Sequence, residues 1–228
     1  MIFQPTRKID RLALPITREC NRHCPECMAR SRPDMSLRER GPVSVDELKW
    51  VGRTLGPIGR IEITGGEPSL HPDFAWISEH IHELFQCPDI MLLTNGFLFQ
   101  NPEMLPLLLN YDRVYVTHYT PTFALRYAQP PNTQVVHAIK KFLRDHPKTA
   151  FWEQSMSSHS PKDATPVVPP SCFYYTCDSI AYHRGQLYGC CTAWQLDHRG
   201  RGILLTTDWR NHLNRIDLPC ETCFLSGT

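Results

Sequence analysis

The sequence predicts an α/β protein: an open, partial (β/α) barrel of about five or six parallel strands, followed by a small cysteine-rich β-hairpin domain. Three observations predict it. Short apolar strands alternate with amphipathic helices through the first two thirds of the chain, as βα units on a parallel sheet do. About five such units can be traced, fewer than the eight that close a barrel. After Ser155 the pattern gives way to a proline-rich stretch, a hairpin and six cysteines.

The elements follow in order. Leu12, Leu14 and Ile16 alternate as in a strand, and a group of cysteines follows its C-terminal end. Ser44 and Glu47 have capping-box spacing and open a helix to about Leu55. Ile61 and Ile63 mark a second strand, ended by Gly65-Gly66-Glu67-Pro68. Pro72 starts a helix that puts Phe74, Ile77, Ile81 and Leu84 on one face. A third strand covers Ile90 to Thr94 and ends at Asn95-Gly96. A helix over Glu103 to Leu109 and a fourth strand through Val114 and Val116 come next. Asn132 or Thr133 caps a helix through Val136, Ile139 and Leu143, and Ala150 to Gln154 forms a fifth strand. Pro161, Pro166, Pro169 and Pro170 mark a linker. Ile180 to Tyr182 and Leu187 to Cys191 then read as a hairpin, with Gly185 in its tight turn. A short helix near Asp208 to Leu213 precedes Cys220 and Cys223. The expected boundary divides 1–160 from 161–228. Ligands of such a sheet sit at the C-terminal ends of its strands. The first cysteine group, the Gly-Gly-Glu-Pro turn and Thr94-Asn95-Gly96 all fall there.

Bulk properties narrow the function. The 228 residues are 41% hydrophobic and 21% charged, with a formal net charge of +1. That composition suits a globular chain and gives no electrostatic support for nucleic-acid or membrane binding. No apolar run approaches the roughly 20 residues of a spanning helix, and the N-terminus lacks the pattern of a secretory signal. The expected location is cytoplasmic. Grouped cysteines in such a chain point to metal or redox chemistry rather than to disulfides, and this chain has ten.

Cys20-x3-Cys24-x2-Cys27 places three soft thiolate ligands on one short loop. Three thiolates leave one iron of a four-iron cluster open. A structural zinc site wants a fourth ligand, which His23 is awkwardly placed to supply. The cysteine triplet after the first strand, with Gly65-Gly66-Glu67-Pro68 after the second, resembles the radical S-adenosylmethionine (radical SAM) superfamily. The resemblance implies that Cys20, Cys24 and Cys27 hold a 4Fe-4S cluster whose open iron chelates the methionine end of SAM. Reductive cleavage would then release a 5′-deoxyadenosyl radical that abstracts hydrogen from substrate. It further implies SAM contacts from Gly65, Gly66, Glu67 and Pro68, and from Thr94, Asn95, Thr117 and His118. One departure stands at Glu26, where the family usually has an aromatic residue.

Cys172-x12-Gly185-x4-Cys190, followed by Cys220-x2-Cys223, resembles the auxiliary-cluster domain of a radical SAM subgroup, in its short, twitch form rather than the longer SPASM form. The interval from Cys172 to Cys190 is similar to that of the twitch-type aminocyclitol dehydrogenases. This implies a second 4Fe-4S cluster on Cys172, Cys190, Cys220 and Cys223, with Cys177 as a possible substitute ligand. Four thiolates leave no open iron, which suits electron transfer and a two-electron oxidation of a small polar substrate, with an external donor such as flavodoxin or ferredoxin. Two alternatives remain. One is a radical SAM epimerase, in which Cys191 beside the active site would return hydrogen to a substrate radical, or a peptide-modifying maturase. In another class altogether, the cysteines would build a zinc-binding interaction module. Cys87 reads as a core thiol. His71, His80 and His82 are too scattered for a metal site. His118, Tyr119, Gln154, His159 and Trp194 are candidates for polar substrate contacts.

Overall fold

A computed structural model describes residues 10–24, 27, 41–126, 130–156, 179–188 and 202–215. Strand β1 covers Arg11–Thr17 and helix α1 covers Val45–Leu55. Strand β2 (Arg60–Gly65) leads into a single 3-10 turn at Pro68–Leu70. Two short helices, α2 (Phe74–Glu79) and α3 (Ile81–Leu84), come before β3 (Ile90–Thr94). Two 3-10 segments, Phe97–Gln100 and Pro102–Asn110, connect it to β4 (Arg113–Tyr119). Helices α4 (Pro121–Arg126) and α5 (Thr133–Arg144) precede β5 (Ala150–Met156). The remaining described elements are β6 (Ser179–His183), β7 (Gln186–Tyr188), β8 (Ile203–Leu204) and a 3-10 helix over Trp209–Arg215.

All the described strands join one sheet in the order β5-β4-β3-β2-β1-β6-β7-β8. From β5 to β6 every neighbouring pair is parallel, and the β6–β7 and β7–β8 pairs are antiparallel. This is the open parallel sheet of an incomplete barrel. β6 is both the sixth parallel strand, paired to β1, and the first arm of the hairpin. Between the two arms Arg184 and Gly185 both take positive φ, 48° and 80°, the backbone of a two-residue hairpin turn whose twist matches the strands.

The alternation in each strand decides where the core lies. Leu12, Leu14, Ile16, Ile61, Ile63, Ile90, Leu92, Val114 and Val116 are all fully buried, and they form one cluster with Leu48, Val51, Leu55, Ile77 and Ile139 of the helices. β1 carries Pro15 although it lies inside the sheet. A proline is tolerated there because the β1–β2 register shifts between Pro15 and Thr17.

Three local expectations are corrected. The helix expected from Pro72 through Leu84 breaks at His80, whose ring nitrogen Nδ1 lies 2.9 Å from the Trp76 carbonyl and whose ring stacks on Trp76 at 4.2 Å. That local bond competes with the helical ladder. The segment around Glu103 to Leu109 is 3-10 rather than α-helical, with Pro106 inside it removing a donor. The capping box is half formed. Ser44 accepts from the Glu47 amide at 3.1 Å, while the Glu47 carboxylate accepts from the Tyr182 hydroxyl at 2.5 Å instead of reaching back.

Candidate functional site

The C-terminal ends of β1 to β4 form a mouth whose polar groups are buried and mutually bonded. Past the end of β2 the pairing with β1 continues: Gly66 N donates to Thr17 O at 2.8 Å, and Glu67 N to Glu19 O at 2.7 Å. This zips the Gly-Gly-Glu-Pro turn onto the stretch that leads into Cys20. Only glycine allows so close an approach. A Cβ on Gly65 would fall 2.0 Å from Thr17 O, and one on Gly66 would fall 2.2 Å from Glu19 O.

The Glu67 carboxylate, fully buried, is the knot of the site. It accepts from Ser69 N at 3.2 Å, Ser69 Oγ at 2.5 Å, Thr94 Oγ1 at 2.6 Å and Asn95 N at 2.6 Å. Burial pushes its pKa up, and these donors pull it partly back. Thr94 Oγ1 in turn accepts from Gly96 N at 2.9 Å, so this hydroxyl is committed on both sides. Pro68 is buried at the start of the 3-10 turn. His71 sits just beyond, its Nε2 2.9 Å from Val43 O and its Nδ1 accepting from Asp73 N at 3.0 Å.

A chain of amides joins the strand ends to the cysteine loop. Asn95 Nδ2 donates to Asn21 Oδ1 at 2.7 Å, and Asn95 Oδ1 accepts from Phe97 N at 3.0 Å. Asn132 donates to Asn95 O at 2.7 Å and to Thr117 O at 2.8 Å, and it accepts from Tyr119 N at 2.7 Å. Asn132 was read from the sequence as a helix cap, but its side chain makes no capping bond. It fastens β3 to β4 instead. Thr117 enters this chain through its carbonyl. His118 is engaged elsewhere, with Nδ1 2.7 Å from Glu153 Oε1 and Nε2 2.9 Å from Thr133 Oγ1.

Cys20, Cys24 and Cys27 are free thiols, Cys20 buried and the other two half-buried. Cys27 N donates to Cys24 O at 3.1 Å, and the Cys24 thiol donates to the Tyr119 hydroxyl at 3.5 Å. Burial pushes the Cys20 pKa up to about 12; a bond from the Arg22 amide opposes this, while the charges of Glu67, Cys27 and Cys24 add to it. Burial raises Cys24 as well. Free of metal, such thiols stay protonated at neutral pH, so ligation must release protons. Among the described residues no three His, Cys, Asp or Glu side chains converge on a single-ion position. His23, between the cysteines, is exposed.

Arg22, inside the loop, is the residue whose role the sequence did not disclose. It is 1% exposed, and its guanidinium lies 3.8 Å from the Tyr119 ring centre and 4.3 Å from that of Phe97. Nη2 donates to Pro130 O at 2.6 Å, while Nε and Nη1 are buried without an acceptor. Three thiols on one loop beside a buried cation make a donor set that fits an anionic, sulfur-ligated iron cluster. Charged residues between cysteines are common enough on a surface loop, so only the burial of Arg22 marks it. Asn21, Asn132 and Arg22 were all missed as site residues.

Cys87 lies apart, its thiol donating to Asp89 O at 3.3 Å. Glu26, His159, Cys172, Cys177, Cys190, Cys191, Trp194, Cys220 and Cys223 lie outside the described residues.

Comparison with known proteins agrees with this geometry. The model of the radical SAM superfamily matches residues 14–145, over half of the 228-residue chain, and the chain belongs to that superfamily. Over 93 residues, 40% of the chain, it is 36% identical to GTP 3',8-cyclase of Klebsiella pneumoniae subsp. pneumoniae, and that stretch spans only 28% of the cyclase. The fold is similar to the crystal structure of BtrN in complex with AdoMet and 2-DOIA, with a TM-score of 0.57 and 14% identity over 97% of this chain and 93% of that one. BtrN in an open conformation gives a TM-score of 0.55 and 15% identity, covering 96% and 94% of the two chains. Membership of the superfamily implies a 4Fe-4S cluster and SAM as cofactors. Among the described residues no helix is long and apolar enough to cross a membrane.

Proposed function

We propose that this radical SAM enzyme holds its cluster on Cys20, Cys24 and Cys27 and oxidises a small polar substrate by two electrons. The observation that carries the reading is the buried bond chain joining the cysteine loop to the Gly-Gly-Glu-Pro turn and to the ends of β3 and β4. A four-iron cluster bound there supplies the low-potential electron that splits SAM into methionine and a 5′-deoxyadenosyl radical. The rest is work for the chain. The zip from Thr17 and Glu19 to Gly66 and Glu67 fixes the loop against β2. Glu67 holds the backbone at Ser69 and Asn95, so that carbonyls of the turn can accept from the SAM ammonium. Asn132 fixes the ends of β3 and β4, where Thr94, Asn95, Thr117 and His118 were expected to flank SAM. In this reading Thr94 and Asn95 contribute through backbone position, because their side chains are already bonded.

The second part of the proposal concerns residues 161–228, taken as an auxiliary-cluster domain beside a barrel of residues 1–160. Cys172, Cys190, Cys220 and Cys223 would ligate a second 4Fe-4S cluster suited to removing one electron from the substrate radical. An external reductant is what the superfamily uses, and the neighbour seen with AdoMet and 2-DOIA supports a small-molecule substrate.

Anaerobic reconstitution tests the reading. Iron and sulfide should reach roughly eight of each per chain, the content of two four-iron clusters, and added SAM with dithionite should yield 5′-deoxyadenosine. Zinc in place of iron, with no visible absorbance, would sink it. Deuterium moving from a candidate substrate into 5′-deoxyadenosine, with a product two hydrogens lighter, identifies dehydrogenation. A product of unchanged mass that disappears in Cys191→Ala identifies epimerisation.

A further inference from the structure

Arg22 breaks the rule that buried charges are paired. It is 1% exposed, yet among the described residues two of its three guanidinium nitrogens have no acceptor, and the third is bonded to a neutral carbonyl, Pro130 O. Arg60, Arg113 and Arg11 of the sheet each lie against a carboxylate: Arg60 and Arg113 share Asp89, and Arg11 meets Glu62, although its Nε too is buried without an acceptor. A purely structural arginine in an apolar position is replaceable by a hydrophobic side chain at little or no loss, so an orphaned one invites a search for its anion. Among the described residues, the Phe97 and Tyr119 rings pack on it, and the acidic groups that act on its charge are Tyr119, Cys24, Cys20 and Glu67. Tyr119, whose ring faces the guanidinium, also accepts from the Cys24 thiol.

We propose that Arg22 is a positioning residue of the cysteine loop and the source of a permanent positive charge that favours the reduced state of the cluster held there. The proposal rests on the reading that Cys20, Cys24 and Cys27 hold that cluster. The chemistry is one electron passing from a low-potential donor to the oxidised cluster, with no proton or bond exchanged. A fixed cation close to the thiolates stabilises the added negative charge. Guanidinium suits the task because it keeps its proton even where burial disfavours charge, and because its plane packs on the two rings.

The test is a redox titration, with dithionite and mediators, of the electron paramagnetic resonance signal that responds to added SAM. It compares the reconstituted full chain with Arg22→Met and Arg22→Lys, alongside iron and sulfide counts. Arg22→Met keeps the bulk and loses the charge. Its reduction equilibrium should become about tenfold less favourable, a negative shift of about 59 mV for a one-electron couple, while its iron content stays that of the parent. Arg22→Lys, with the charge retained, should lie between Arg22→Met and the parent. An unchanged potential in Arg22→Met at full iron content overturns the proposal and leaves the superfamily reading intact. Should Arg22→Met fail to take up iron, Arg22→Lys decides: normal loading supports the charge, and failure of both overturns it in favour of shape alone. A parent protein without a SAM-responsive cluster sinks both readings at once.

Discussion

The two ends of the sheet both carry polar clusters, but of opposite kinds. At the N-terminal end of the strands, Arg60 Nε lies 2.5 Å from Asp89 Oδ2 and Arg113 Nε 2.8 Å from Asp89 Oδ1, with Arg11 paired to Glu62. These side chains remain partly exposed, and Asp112 there accepts from Ile90 N at 2.8 Å. At the mouth, Glu67, Thr94, Asn95 and Asn132 are almost wholly buried. They bond chiefly to groups of other loops. The first cluster is a set of partly exposed ion pairs, individually weak. The second fixes the loops of the mouth to one another. Burial, rather than the number of charges, separates the two ends.

The contrast can be broken or sharpened in order of expected effect. Cys24→Ala should abolish 5′-deoxyadenosine formation, down to the level seen without protein, and remove the SAM-responsive cluster signal. Glu67→Ala should come next. It strands four donors in a buried place, a loss of about 3 kcal/mol or more, read as a lowered urea midpoint together with poor iron uptake. Gly66→Ala should cost about 1–3 kcal/mol by overpacking against the Glu19 carbonyl, with iron uptake falling because the cysteine loop must shift.

His71 supplies a smaller, pH-dependent effect. Burial holds its pKa below the ordinary 6.5, and its Nδ1 accepts a bond that only the neutral ring can accept. The unfolded chain therefore takes up the proton first, and stability should fall as pH drops from 6.5 toward the folded pKa. Urea midpoints measured on either side of that value should differ by about 1 kcal/mol, the worth of one bond, and His71→Gln should flatten the difference. Asp89→Asn at the opposite end should cost about 1 kcal/mol or less and leave the 5′-deoxyadenosine yield unchanged. A large loss of that yield in Asp89→Asn would erase the distinction between the two ends.

The sequence disclosed what period and spacing can carry. Ile61 with Ile63 and Val114 with Val116 alternate because one face of each strand is core, while β1, with Leu12, Leu14 and Ile16, is buried on both faces. The cysteine triplet and the Gly-Gly-Glu-Pro turn were legible because their chemistry depends on local spacing. Arg22 and Asn132 were not, since their partners are distant in sequence: Pro130 is 108 positions from Arg22, and Asn95 is 37 positions from Asn132. His80 keeps the helical period while breaking the helix, because a ring-to-carbonyl bond leaves no trace in a hydrophobic pattern. The carboxylate of Glu67 holds the loops together through partners as far as 28 positions away, which spacing could not show.

Helix α1 has one last consequence, in time rather than in space. Glu47 near its start is held by Tyr182, 135 positions later, and the Leu55 carbonyl at its end accepts from Trp209 and Arg210, 154 and 155 positions later. At about 5–20 residues per second of synthesis, the second lock follows its helix by roughly 8–30 s. During that interval β1 and the thiols that follow it already exist while the helix beside them lacks its final bonds. A newborn chain thus presents its cysteine loop before the tethers of the neighbouring helix can be made.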